Sequence, residues 1–147
     1  MLIREFPQQP MIGVGVVVLR ARETLLVRRS NPPRQAQWSL PGGLQELGET
    51  VFETARREVM EETGVTVRAL GLIDVIDLIE RDPEDGAVRY HYTLVDVAAS
   101  WISGDAEART DAADVAWTDV DDLSRFELWS ETKRVIRLAH QKWPIGE

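Results

Sequence analysis

The chain has 147 residues, 44% of them hydrophobic and 29% charged, with a formal net charge of −8 and no cysteine. That length is the common size of one domain and suffices to bury a core, while the missing thiols exclude disulfides, a thiolate zinc site and a cysteine nucleophile and fit a reducing cytoplasm. The charge disfavours nucleic acid as a partner and a bare anionic substrate unless a cation screens it, and no apolar run is long enough for a signal peptide or for the ~18 residues of a membrane span.

Residues 1–10, with Pro7, Gln8, Gln9 and Pro10, read as an amino-terminal arm before a single domain over 11–147. "MIGVGVVVL" (11–19) and "TLLVRR" (24–29) are β-rich runs joined by "RARE", a hairpin signal. Gly13 and Gly15 inside the first run predict a close backbone approach or a bulge. "SNPPRQAQ" (30–37) is a loop by composition, and "WSLPGG" a short strand entering a glycine turn. Thr50 and Glu53 form a capping box, and Gly64 supplies a left-handed stop, so a helix is predicted between them. Phe52, Ala55, Val59 and Met60 recur at helical spacing as its buried stripe, which turns Glu58, Glu61 and Glu62 largely the other way.

"TVRALGLIDVIDLIE" (66–80) and "AVRYHYTLVDVAASW" (87–101) read as long strands joined through the turn dipeptide Asp85-Gly86. A polar loop (102–114) and a strand "VAWTDV" (115–120) follow. The amphipathic segment 130–143 is a helix with Ser130 as its cap and Val135, Leu138, Ala139 and Trp143 facing in. The pattern predicts an α/β architecture, a mixed sheet covered on both faces, with Trp38 and Trp117 in its core.

Glu58, Glu61 and Glu62 stand at i, i+3 and i+4, where side-chain oxygens come within a few ångströms of one another. Three carboxylates so placed repel or raise one another's pKa. A hard divalent cation resolves the conflict, since Mg²⁺ takes oxygen ligands and shares them with substrate phosphates. It would also let an acidic protein hold a polyphosphate. Arg57 could orient a carboxylate through paired hydrogen bonds. The alternative is a solvated helix face in which Arg56 and Arg57 pair with Glu53 and Glu61.

The wider spacing bears on that choice. Gly43 is followed after five residues by Glu49, and after seven more by "REVMEETGV". Gly43, Glu49, Arg57, Glu58, Val59, Glu61, Glu62, Gly64 and Val65 fill every defined position of the Nudix box, and the chain resembles the Nudix hydrolase family over roughly 12–143. The resemblance implies an α/β/α sandwich with a mixed sheet and a hydrolase that uses Mg²⁺ or Mn²⁺ to cleave a nucleoside diphosphate linked to another moiety.

Carried onto this chain, the resemblance makes Glu58, Glu61 and Glu62 the metal carboxylates and gives Gly43 a carbonyl turned to a metal. Arg57 would orient the glutamates and Glu49 would brace the loop against Arg57. A further acid is expected from 102–114, with Asp111 the first candidate and Asp114 and Glu107 after it. Outside the box, Arg28, Arg29 and Arg34 could meet phosphates, and Tyr90 and Tyr92, on one face of a strand, could stack on a base or simply pack. The expected partner is a small nucleotide, ADP-ribose or a related derivative being favoured, with no membrane and with a homodimer open. The alternatives are a nucleoside triphosphate pyrophosphohydrolase and a non-catalytic nucleotide-sensing module.

Overall fold

The computed structural model describes residues 4–31 and 35–144, so Arg34 lies outside the described residues. Ten elements follow in order: strands β1 (Met11–Arg20), β2 (Glu23–Arg29), β3 (Trp38–Ser39) and β4 (Gly42–Leu44), helix α1 (Val51–Thr63), strands β5 (Thr66–Arg81), β6 (Val88–Ser103) and β7 (Ala112–Asp119), a 3-10 segment (Val120–Phe126) and helix α2 (Ser130–Lys142). They form one mixed sheet in the order β3-β2-β1-β6-β5, with β4 also on β1 and β7 on β2.

Strand β1 organises the sheet. It runs parallel to β6 from Met11 opposite Tyr92 to Leu19 opposite Ser100. Its other flank is shared: Gly13–Gly15 pair with β4, and Leu19 and Arg20 pair with β2. Both faces are covered, which is why the strand reads as an unbroken apolar run. Val14, Val16 and Val18 meet Ala55 and Val59 of α1, while Val17 and Leu19 share a second core with Val135, Ile136 and Ala139 of α2. Among the described residues, no helix is long and apolar enough to cross a membrane.

Helix α1 begins and ends as its sequence dictates. The Thr50 hydroxyl accepts from Glu53 N–H at 3.1 Å, the Glu53 carboxylate accepts from Thr50 N–H at 2.9 Å, and Gly64 closes the helix at φ 75°. Replacing Thr50 with alanine is expected to cost about 1 kcal/mol in urea denaturation, because one orphan amide then loses its acceptor.

The buried stripe differs from the prediction. Ala55 and Val59 are fully buried, but Phe52 and Met60 are 37% and 40% exposed. Thr54, Glu62 and Thr63 are buried instead. Small side chains at the contact let the helix approach the sheet closely, and the helix is rolled so that its acidic face addresses β4 rather than solvent. The capped, intact helix therefore buries part of the charge it was expected to display.

Other boundaries move for local reasons. β6 continues to Ser103 and β7 starts at Ala112, shortening the predicted loop from both ends. The 3-10 segment was not anticipated; the Asp119 carboxylate caps it by accepting from Asp121 N–H, and Leu123 anchors it in the core. Ser130 is the first helical residue of α2, not its cap; Trp129 holds the cap position without a side-chain bond. Leu138 faces outward at 38% exposure and Ile136 takes its place inside.

Candidate active site

The glycine strand β4 and the last two turns of α1 face each other. A methyl group at Gly43 would lie 2.5 Å from the Glu58 carboxyl carbon, so the glycine is what lets that carboxyl lie directly against the strand. The Gly42 N–H donates to Glu62 Oε1 at 2.7 Å. At Gly42, φ is 154° and a methyl group would stand 1.9 Å from the Val14 carbonyl oxygen.

Arg57 is the brace. Its Nε and Nη2 donate to both oxygens of Glu49 at 2.6 and 3.0 Å, the paired geometry that a guanidinium offers a carboxylate. Its Nη2 also donates to the Leu44 carbonyl at 3.1 Å, and its Nη1 donates to Glu58 at 2.9 Å and Glu61 at 3.2 Å. Hydrogen bonds from Arg57 and then Thr54 hold Glu49 at a pKa of about 2, a permanent anion. Hydrogen bonds to Glu49 and then Glu58 in turn raise the pKa of Arg57.

For two of the three glutamates, burial outweighs the compensation that their partners offer. Burial, opposed by Arg57, raises the pKa of Glu58. Burial pushes Glu62 up to about 8, with Glu58 and Asp111 adding repulsion and the Gly42 amide and Arg29 opposing it. Among the described residues, no three acidic or histidine side chains converge on one point. Arg57 draws Glu58 and Glu61 to itself, and Gly42 holds Glu62.

The donor set nevertheless fits a hard divalent cation. It is all oxygen, it includes a carboxylate at 8% exposure, and it is seated directly against a glycine backbone. Glu58, Glu61, Glu62 and the Gly43 carbonyl are the groups that would hold such an ion.

The loop after β6 completes this wall. Glu107 N–H and Arg109 N–H donate to the Thr63 and Glu62 carbonyls at 3.0 and 2.9 Å, capping the end of α1. Asp111 is thereby placed where its charge raises the pKa of both Glu58 and Glu62. Its carboxylate accepts from Asn31 Nδ2 at 3.1 Å. Glu107 is engaged by Arg109 at 2.6 Å, and Asp114 accepts from Val115 N–H. Of the three loop acids, Asp111 is the one whose charge reaches the glutamates.

A cavity of about 180 Å³ opens on the α2 side of β4. Gly42, Gly43, Arg29, Trp38, Trp129, Tyr92 and Asp96 are among its lining residues. Arg29 thus lines the cavity and its charge also reaches Glu62, while Tyr90 is 8% exposed and is not in the lining; Tyr92 occupies that position. The Tyr92 hydroxyl is buried without a hydrogen-bond partner among the described residues. Asp96 was not singled out from the sequence. A lone aspartate within "TLVDVAA", on the same strand face as Tyr92, was the available signal.

Asp96 is 5% exposed, and burial first, then Asp74, pushes its pKa up to about 7, with Arg134 opposing. A carboxyl whose folded pKa exceeds its unfolded value binds its proton more tightly in the folded state. Its penalty is therefore absent below the model-peptide value of 3.8, grows as pH rises, and is complete above about 7. Replacing Asp96 with asparagine is expected to leave stability unchanged near pH 4 and to raise it above pH 7, by on the order of a few kcal/mol. Urea titrations across that range measure the difference.

Comparison with known proteins places this geometry. The family model for the NUDIX domain matches residues 9–139. The ADP-ribose pyrophosphatase of Methanocaldococcus jannaschii is 30% identical over 137 residues, covering 93% of this chain and 76% of that protein. A putative mutator protein, MutT4, of Mycobacterium tuberculosis is 32% identical over 125 residues; the match covers 82% of this chain but only 48% of the longer protein. Among solved structures, the MutT NUDIX hydrolase of Burkholderia pseudomallei superimposes with a TM-score of 0.73 at 28% identity, covering 89% of this chain and 98% of that one.

Proposed function

The chain belongs to the Nudix hydrolase family, and from that premise we propose that it hydrolyses the pyrophosphate linkage of a nucleoside diphosphate derivative, ADP-ribose or a close relative. The observation that carries this reading is the wall of partly buried glutamates beside a glycine strand whose Gly42 and Gly43 also line a largely apolar cavity.

In this reading the diphosphate lies along β4, between the glutamates and Arg29, and the nucleoside enters the cavity. Mg²⁺ or Mn²⁺, held by Glu58, Glu61, Glu62 and the Gly43 carbonyl, supplies positive charge against the diphosphate and Lewis-acid activation of the attacking water. The chain's residues do the rest. Arg57 fixes the glutamates at set angles, and Glu49, ionised throughout the working range, fixes Arg57. Gly42 and Gly43 admit the phosphates to the backbone without side-chain interference. Arg29 offsets phosphate charge from the cavity lining. Asp111 takes the proton of the attacking water, whose oxygen bonds to phosphorus as the bridging P–O bond breaks and its electron pair leaves with the other phosphate. No covalent intermediate on the chain is needed.

The preference for ADP-ribose rests on similarity to the M. jannaschii enzyme over most of both chains. The MutT-type relatives favour a nucleoside triphosphate as the second reading. A non-catalytic sensor would not need the acidic set, which is intact. A cytoplasmic setting, with nucleotides and a reducing pool, accords with a chain lacking cysteine.

Phosphate release, coupled to a phosphatase, over ADP-ribose, dinucleotides, nucleotide sugars and all nucleoside triphosphates tests the proposal with each metal. Highest kcat/KM on ADP-ribose or another diphosphate-linked nucleoside supports it. Highest kcat/KM on a triphosphate transfers the assignment to the second reading. Silence across the panel overturns both.

A further inference from the structure

The interior of the cavity is built around one acid. Asp96 on β6 stands opposite Gly15 on β1, and Gly15 stands opposite Gly42 on β4. A methyl group at Gly15 would lie 2.5 Å from Asp96 Oδ1, so the glycine is what gives the carboxyl its place. The sequence predicted close approach at this glycine without showing what approaches. Asp96 is 5% exposed and lines the cavity, and its carboxyl has no hydrogen bond among the described residues. Tyr92, on the same strand face, presents a buried hydroxyl without a hydrogen-bond partner among the described residues. Buried polar groups cost free energy unless they are paired. A desolvated carboxyl and an unpartnered hydroxyl in one cavity, lined also by Trp38 and Trp129, mark a surface completed by a ligand.

The geometry points to Asp96 as a specificity-determining residue. We propose that its carboxyl, in the neutral form, reads the hydrogen-bonding edge of the substrate's base, its O–H donating to a ring nitrogen and its C=O accepting from an exocyclic N–H, as the N1 and N6 amino group of adenine provide. The inference rests on the reading that a nucleotide diphosphate lies along β4. Three adjacent strands carry Asp96, Gly15 and Gly42, so the carboxyl is two strand spacings, about 10 Å, from the backbone that would meet the phosphates. That is the span of a nucleotide from phosphate to base edge. Flat aromatic walls and one buried donor–acceptor group suit a planar heterocycle better than a sugar, whose hydroxyls call for several polar partners.

The ionisation of Asp96 supports the neutral form. Burial raises its pKa to about 7, Asp74 on β5 and Glu131 on α2 push the same way, and Arg134 on α2 opposes them; β1 presents only Gly15 there. Arg134 is itself engaged by Asp74 at 2.7 Å and by Glu131 at 2.5 Å, so it does not serve as a counter-ion to Asp96.

Calorimetric titration of the full chain with ADP and with inorganic pyrophosphate, both with Mg²⁺, tests the assignment. The wild-type protein is expected to bind ADP more tightly than pyrophosphate. Asp96→Ala is expected to lose about tenfold in ADP affinity and to leave pyrophosphate binding unchanged. Asp96→Asn, which keeps a donor and an acceptor side by side, is expected to retain ADP binding and, unlike wild type, to hold it from pH 6 to 8.5. A purely structural Asp96 would move both ligands together, and that result overturns the inference. Equal wild-type affinity for ADP and pyrophosphate also overturns it while leaving the diphosphate site intact. Failure of both ligands to bind overturns the site reading and the inference with it. The wild-type comparison decides even if the alanine variant fails to fold.

Discussion

Glu61→Gln is expected to lower kcat/KM by about two to three orders of magnitude, a loss typical of removing one group that stabilises transition-state charge, while leaving the fold in place. Glu61 separates the two effects most cleanly of the three glutamates. Its side chain is 48% exposed and, among the described residues, its ion pair is with Arg57 at 3.2 Å. An exposed pair of that kind contributes little to stability, and Arg57 keeps its bonds to Glu49, Glu58 and the Leu44 carbonyl without it. The amide, in contrast, removes a negative charge from the oxygen set proposed to hold the divalent cation. Steady-state kinetics at saturating Mg²⁺, beside a urea melt, distinguish the outcomes. Unchanged kcat/KM would return the glutamates to a solvated helix face. A parallel loss of stability would assign them a structural role.

Gly42→Ala is expected to produce the largest loss of stability, about 3–5 kcal/mol. The added methyl would stand 1.9 Å from the Val14 carbonyl oxygen, and the opposing group is backbone in the central strand, which cannot swing aside. β4 would have to lift from β1, taking the Gly42 N–H away from Glu62. Gly43→Ala is the control one residue on. There the methyl meets the carboxyl end of Glu58, a side chain that can move. It is expected to cost less than about 1 kcal/mol by denaturant titration, in the range of ordinary substitutions. It should still depress turnover by displacing Glu58. A similar stability loss from both variants would show that strand pairing, rather than the backbone collision at Gly42, sets the cost.

The sequence made some of this legible because the controlling interactions are local. The Thr50–Glu53 box and the Gly64 stop act within a few residues, and α1 starts and ends where they say. The β-rich run of β1 and the Asp85-Gly86 turn are likewise short-range signals, and the NUDIX domain match over 9–139 supports the box resemblance. Where the reading failed, distant partners decided. Phe52 and Met60 have the right spacing for a core, yet Ala55 and Val59 make the contact because the helix rolls to bring Glu62 under Gly42. Asp96 was passed over because its meaning depends on Gly15, eighty-odd positions earlier in the chain, and on tryptophans from two other segments. Tyr90 and Tyr92 share a strand face and burial, and only the assembled cavity distinguishes them.

The parallel pairing of β1 with β6 also sets an order of assembly. The β5–β6 hairpin closes through the tight turn around Gly86, and β1–β2 closes through another short connection, so both can zip up locally. Joining β1 to β6 brings together positions roughly eighty residues apart, an entropically slow step. Among the described residues β4 pairs with β1 alone, and Gly15 has Asp96 beside it only after that step. In a refolding experiment, strand signal should therefore recover before turnover does. A nascent chain on the ribosome would stay catalytically silent until both β6 and Asp111 had emerged.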